Sequence, residues 1–177
     1  MRLDKIFSEK KSAILNRWFD QAIKTYPEET ARFLKSKKNR FANPVGNILF
    51  QELESIMDGL IQGLEAKTLR PCLDNIIRIR AVQDLTASQA VSFIFMLKSI
   101  LREELAQEIQ ETRIWKELLE LESRIDELAL LSFDIYMQCR EKIYDLKANE
   151  IHNRTIRALK RAKLVVEDPL ETIPEDG

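Results

Sequence analysis

From Ile114 to Val166 the chain contains neither proline nor glycine and repeats apolar residues at helical spacing. This stretch reads as one long helix, or two helices nearly in line. Ile114, Leu118, Leu121, Ile125, Leu128, Ser132, Ile135 and Cys139 alternate in steps of four and three, a heptad-like seam. Trp115, Leu119, Leu130, Leu131, Phe133 and Tyr136 widen the apolar surface, so this half belongs to a globular core rather than a bare coiled coil. Past Ile143 and Leu146 the pattern thins. Lys147 to Arg154 is polar, and Ile151, Thr155, Leu159 and Ala162 leave only a narrow seam. At 1.5 Å per residue a continuous helix of this length would run about 80 Å. Its second half is therefore expected to project, to bend near Lys147–Asn153, or to pack on a partner.

Upstream, the same helical spacing recurs between breaks that have a chemical cause. Ile14, Leu15, Trp18, Phe19, Ala22, Ile23 and Tyr26 make one stripe of a first helix, expected from Asp4 or Ser8 to Thr25. Pro27-Glu28-Glu29 opens a short second helix that ends in the basic run Lys35 to Arg40. Asn43 is placed to cap a third helix, with Pro44 at the first helical position, where its missing N–H costs nothing. That helix is expected to reach about Ala66, burying Val45, Ile48, Leu49, Leu53, Ile56, Met57, Leu60, Ile61 and Leu64. Ser55, Gly59 and Gly63 lie four apart beside this stripe. Two helical glycines so spaced point to close packing of another helix or a partner subunit; the alternative is unremarkable solvent-facing positions. A fourth helix is expected from Thr68–Pro71 to Asp84. Thr86 with Gln89 three residues on forms a capping-box pattern for a fifth helix reaching about Ile109. From Ala90 to Leu101 that helix is apolar nearly all round, which predicts the central buried helix. The fold expected is all-α, a single bundle of five or six helices with a long C-terminal helix. Residues 1–147 form the helical domain, 148–166 a projecting helical extension, and 167–177 a disordered acidic tail.

Composition narrows the function classes. Apolar residues make up 45% of 177, enough for a core, and the net charge of −1 lacks the basic excess of a nucleic-acid binder. No run is apolar enough to span a bilayer, and no secretory h-region opens the chain. Cys72 and Cys139 lack a CxxC spacing, which fits reduced thiols in a cytoplasmic setting. His152, the single histidine, sits among Glu150, Asn153 and Arg154, unsuited to haem ligation. With one histidine, neither a di-iron helix bundle nor a structural zinc site can be built. There is no Gly-x-Ser-x-Gly and no glycine-rich phosphate loop. No catalytic, metal or cofactor site is expected, and the chain reads as a non-enzyme.

Two basic clusters remain. Arg78 and Arg80 stand among isoleucines, with Asp74 and Asp84 at i,i+4 spacing. They read as paired side chains on the core rim or as a contact for an anion or a partner. Arg154, Arg157 and Arg161, with Lys160 and Lys163, read as favourable charge at a helix C-terminus, balanced by the acidic tail, or as a contact surface for a membrane, a nucleic acid, an anion or a partner.

Several pieces together resemble the RsbRD N-terminal domain family, whose parent protein is a co-antagonist of the RsbT kinase in the bacterial stressosome. They are Trp18 with Tyr26-Pro27-Glu28-Glu29-Thr30, Arg40-Phe41-Ala42-Asn43-Pro44-Val45-Gly46, and Ile76-Ile77-Arg78-Ile79-Arg80-Ala81-Val82-Gln83-Asp84 followed by Ser88-Gln89-Ala90-Val91. The resemblance covers about residues 10 to 145. It implies a helical, homodimeric sensor or interaction domain in stress-response signalling, with a globin-like helix arrangement that holds no haem. In RsbRD-like proteins a STAS domain follows and carries the phosphorylated residues. Here no αβ-alternating segment follows the long helix, so a stand-alone domain is expected. The function expected is a non-enzymatic regulatory or sensor module that dimerises and binds an as yet unidentified protein partner. The alternative is a small-molecule or lipid binder using an apolar cavity between helices.

Overall fold

A computed structural model describes residues 2–35, 43–83, 85–108 and 112–164. The basic run 36–40, Phe41 and Ala42 of the second motif, Asp84, and the acidic tail 167–177 lie outside the described residues. The architecture is all-α, in the order α1 (Arg2–Ile23), α2 (Glu28–Lys35), α3 (Pro44–Ile61), α4 (Arg70–Ala81), α5 (Ala87–Glu104) and α6 (Thr112–Arg161). The chain divides into two units, Met1–Arg140 and Glu141–Gly177, and α6 has residues in both.

In the first unit α1 packs on α3 and α5, α3 packs on α4, and α2 lies against α1 and α3. The stripe read from the first helix is the centre of this core: Ile14, Trp18, Ala22 and Ile23 are buried, and Trp18 Nε1 donates to the Phe93 carbonyl of α5 at 2.7 Å. The four-three seam of α6 closes the bundle. Ile114, Leu118, Leu121, Ile125, Leu128, Ser132 and Ile135 are buried, each aliphatic side chain contributing about 1.5–3 kcal/mol by leaving water. Polar contacts fix this wall. Glu117 accepts from the Leu3 amide at 2.9 Å, Arg124 Nη1 donates to the Leu60 carbonyl at 3.2 Å, and the Tyr136 hydroxyl donates to the Leu85 carbonyl at 2.6 Å.

Both predicted caps form. The Asn43 side-chain oxygen accepts from the Gly46 amide at 2.9 Å. Its Nδ2 donates back to the Phe33 and Leu34 carbonyls at 3.0 and 2.8 Å, so one buried amide starts α3 and satisfies the end of α2. Thr86 and Gln89 complete the capping box: the Gln89 amide donates to Thr86 Oγ1 at 3.3 Å, and the Thr86 amide to Gln89 Oε1 at 2.9 Å.

Helix ends differ from the periodic reading where local contacts overrule it. α1 starts at Arg2 because Leu3 and Phe7 are buried. α3 stops at Ile61, short of Ala66. Gly63 takes φ +74°, its amide donates to the Leu60 carbonyl and that of Leu64 to the Gly59 carbonyl, a Schellman ending. α4 closes at Ala81 rather than Asp84, with Val82 as its cap residue. α5 ends at Glu104 rather than Ile109. Leu105 turns into the core, and Lys10 of α1 donates to the Glu104 carbonyl, a cation at the carbonyl end of the helix dipole. Nor is α5 buried all round, since Phe95 is about half exposed. α6 runs without interruption through Lys147–Asn153 and stops at Arg161, where Lys163 adopts φ 56° and the Leu164 amide reaches the Leu159 carbonyl.

Candidate functional site

Apolar side chains left exposed by a bundle with a full core need a reason. Three of them meet between α5 and α6: Phe95 is 48% exposed, Leu130 69% and Phe133 46%. They line a groove of about 750 Å³ with Thr86, Ala87, Ser88, Val91 and Ser92 from the start of α5 and Ala129 from α6. The capping box sets its mouth. Thr86 and Ser88 share a hydroxyl contact of 3.1 Å, and Ser92 Oγ donates to the Gln89 carbonyl at 3.0 Å. Buried Val91 and Ala129 form its floor. None of these nine residues carries an ionisable side chain. The groove offers apolar contact and shape, with the Thr86, Ser88 and Ser92 hydroxyls as its polar groups.

A second unusual place lies inside the bundle. Arg80 is fully buried, and no carboxylate among the described residues pairs with it. Its Nε donates to the Ala90 carbonyl at 2.8 Å, and Nη2 to Thr25 Oγ1 at 2.7 Å and to the Gln89 carbonyl at 2.9 Å. The guanidinium stands 4.9 Å from the Tyr26 ring centre and 5.1 Å from that of Phe93, a two-ring cation–π cage. Nη1 has no hydrogen-bond partner among the described residues. Burial lowers the Arg80 pKa, with Tyr26 opposing; burial raises the Tyr26 pKa, with Arg80 opposing. The arrangement ties the corner after α1 to α4 and to the first turn of α5.

The other singled-out residues are dispersed. Arg78 is exposed and pairs with Asp74 at 2.5 Å. Ser55 faces solvent and donates to the Gln51 carbonyl at 3.0 Å. Gly59 is a close-packing position: a Cβ there would stand 2.4 Å from Leu69 Cδ2, the neighbour being the buried residue that precedes α4. Gly63 is the turn that ends α3. In the second unit Arg154, Arg157 and Arg161 are all exposed, and Arg154 pairs with Glu150 at 2.6 Å. His152 is exposed as well. Cys72 and Cys139 are half-buried and not joined by a disulfide; burial, then the neighbouring Glu52, pushes the Cys72 thiol up to about 11. Among the described residues no group of three His, Cys, Asp or Glu side chains is placed to hold a metal ion, and no helix is long and apolar enough to cross a membrane.

Periodicity alone did not find the groove, because Leu130 and Phe133 read as a widening of the core face. Distance from the seam defined by Leu128, Ser132 and Ile135 does not separate them, since Ala129 and Tyr136 also lie one residue off it and are buried. The Arg80 cage did have a signal. Arg80 follows Ile76 by four residues and Ile77 by three, the spacing of the buried face.

No curated protein and no solved structure matches the chain. A family model described as the RsbT co-antagonist protein RsbRD N-terminal domain matches residues 12–151, a span that takes in α2 to α5, the Arg80 cage and the whole groove. The chain belongs to the RsbRD N-terminal domain family.

Proposed function

We propose that this chain is a non-enzymatic, cytoplasmic signalling module of the stress-response type, which associates as a homodimer and engages a protein partner. The observation that carries the reading is the groove between α5 and α6. A two-fold interface sets one patch against itself, and residues near its axis meet their own copies, where a charge would face its own sign. The Phe95–Leu130–Phe133 surface contains no charge and carries two aromatic side chains, the composition of an interface centre. Membership of a family named for a kinase co-antagonist supports action through protein contacts. The test is light scattering on the purified chain at about 50 µM, roughly where interfaces of modest affinity are filled. Twice the chain mass of 20.7 kDa is expected. The double variant Leu130→Glu, Phe133→Glu should give the single mass with an unchanged helical spectrum. A wild-type monomer at that concentration would sink the dimer.

The same groove supports a second reading, a small-molecule or lipid site, because about 750 Å³ of mostly apolar space lies within the range of ligand pockets. Native mass spectrometry distinguishes it: a stoichiometric adduct that Leu130→Glu removes would favour the ligand over the second copy.

A further inference from the structure

The second unit holds a pattern that the groove does not use. On α6 and the residue that follows it, Tyr144, Ala148, Ile151, Thr155, Ala158 and Ala162 follow one another in steps of four, three, four, three and four. That is an uninterrupted heptad seam about 27 Å long. All six are exposed, Tyr144 at 56% and Ile151 at 65%. One flank is a line of cations at seven-residue spacing, Lys147, Arg154 and Arg161, each exposed and each just before a seam position. The other flank, Asp145, His152 and Leu159, has no charge pattern. From Lys147 to Leu164 there are six basic residues and one acid, Glu150, in a chain whose net charge is −1.

We infer that this face of α6 docks an acidic amphipathic helix from a different protein, with apolar side chains on the seam and carboxylates along the Lys147–Arg154–Arg161 line. Three occupants compete for such a face, and charge decides among them. A second copy in antiparallel register would set the basic line against itself. In parallel register, flanking positions meet those five residues on in the other chain, so Lys147 would face His152 and Arg154 would face Leu159 of the copy. Neither register brings these cations an acid from the other copy, and Arg154 keeps only its exposed pair with Glu150 in its own helix. A lipid surface would accept the positive charge, but it rewards a wide, bulky apolar face, whereas four of the six seam residues here are alanine or threonine. Small seam residues let a helix axis approach closely. A seven-residue repeat of charge on one flank matches the spacing that a partner helix presents. An acidic helix satisfies seam, spacing and sign together.

This inference rests on the partner-binding half of the function proposed above. The probe is a fluorescein-labelled peptide of four heptads with leucine and isoleucine on its seam and glutamate on both flanks. A matched peptide carries lysine in place of glutamate, and like charge keeps each from pairing with itself. With the full chain in low salt, anisotropy should show the glutamate peptide binding at least about ten-fold more tightly than the lysine peptide, the advantage shrinking as salt is added. The variant Lys147→Glu, Arg154→Glu, Arg161→Glu should reverse the preference, and Tyr144→Ser with Ile151→Ser should weaken both peptides. All five positions are exposed, so these variants retain the fold. No binding, equal binding of the two peptides, a preference that survives charge reversal, or capture by phosphatidylserine-containing vesicles instead of the peptide would each overturn the inference. Light scattering on the same samples separates the two claims. A dimer without peptide preference removes this inference alone, and a monomer that prefers the glutamate peptide removes only the dimer.

Discussion

The two halves of α6 share a backbone and differ in everything the backbone carries. Before Arg140 the seam is Ile114, Leu118, Leu121, Ile125 and Leu128, bulky side chains removed from water. After it the seam is tyrosine, isoleucine, threonine and alanine, all in contact with water. Helix formation is a local matter, met in both halves by the absence of proline and glycine and by an excess of good helix formers. Burial is a separate matter of side-chain bulk. The first half is a structural wall, and the second holds its helix without a core to reward it.

The sharpest way to break this contrast is truncation of one seam residue on each side. Leu121→Ala or Ile125→Ala should cost about 2–5 kcal/mol in urea unfolding followed by Trp18 fluorescence, while Ile151→Ala should stay within about 0.5 kcal/mol. Equal costs would show that the distal half is as tightly bound to folding as the wall. Arginine gives the next contrast. Arg80→Ala takes the donor from the buried Ala90 carbonyl and from the part-buried Thr25 hydroxyl and Gln89 carbonyl and opens a hole between two rings, so a loss of about 3 kcal/mol is expected. Arg154→Ala removes an exposed ion pair worth no more than about 0.5 kcal/mol. Gly59→Ala should cost about 1–3 kcal/mol, because the added carbon meets the buried Leu69 side chain. Titration sharpens the comparison on the core side. Tyr26 and Cys72 have folded pKa values raised by burial, to about 11 for Cys72. Their contribution is full below the unfolded values and is lost as the pH rises through the folded ones. The urea midpoint should therefore fall between about pH 9 and 11, and Cys72 should resist alkylation at pH 8. The smallest effect belongs to the distal end. Lys163→Gly relieves a left-handed lysine and should slow amide exchange in the last turn by a few-fold, about 0.5–1 kcal/mol locally.

What could be read from the sequence follows the same division. The class, the six helices, the Asn43 and Thr86 caps and the α6 wall were legible, because each is written in residues close along the chain. Three things were not. The end of α3 depended on Gly63 acting as a turn rather than as a packing position, and spacing cannot distinguish those roles. The exposure of Phe95, Leu130 and Phe133 depended on how much apolar surface the other helices could cover, a property of the whole bundle. The burial of Arg80 required Thr25, Tyr26, Gln89 and Phe93 to converge from two distant segments. Spacing put Arg80 on the right face, and its charge argued for the wrong environment.

Asn43 carries a consequence of a different kind, one of chemical lifetime. Asparagine ages by deamidation when the next backbone nitrogen attacks its side-chain carbonyl to close a succinimide ring. The next residue here is Pro44, whose nitrogen bears no hydrogen and already sits in a ring, so that route is shut. An aspartate at this position would aim a carboxylate at the Phe33 and Leu34 carbonyls in a place almost sealed from water. The same proline that starts α3 thus keeps the joint between α2 and α3 from decaying with time.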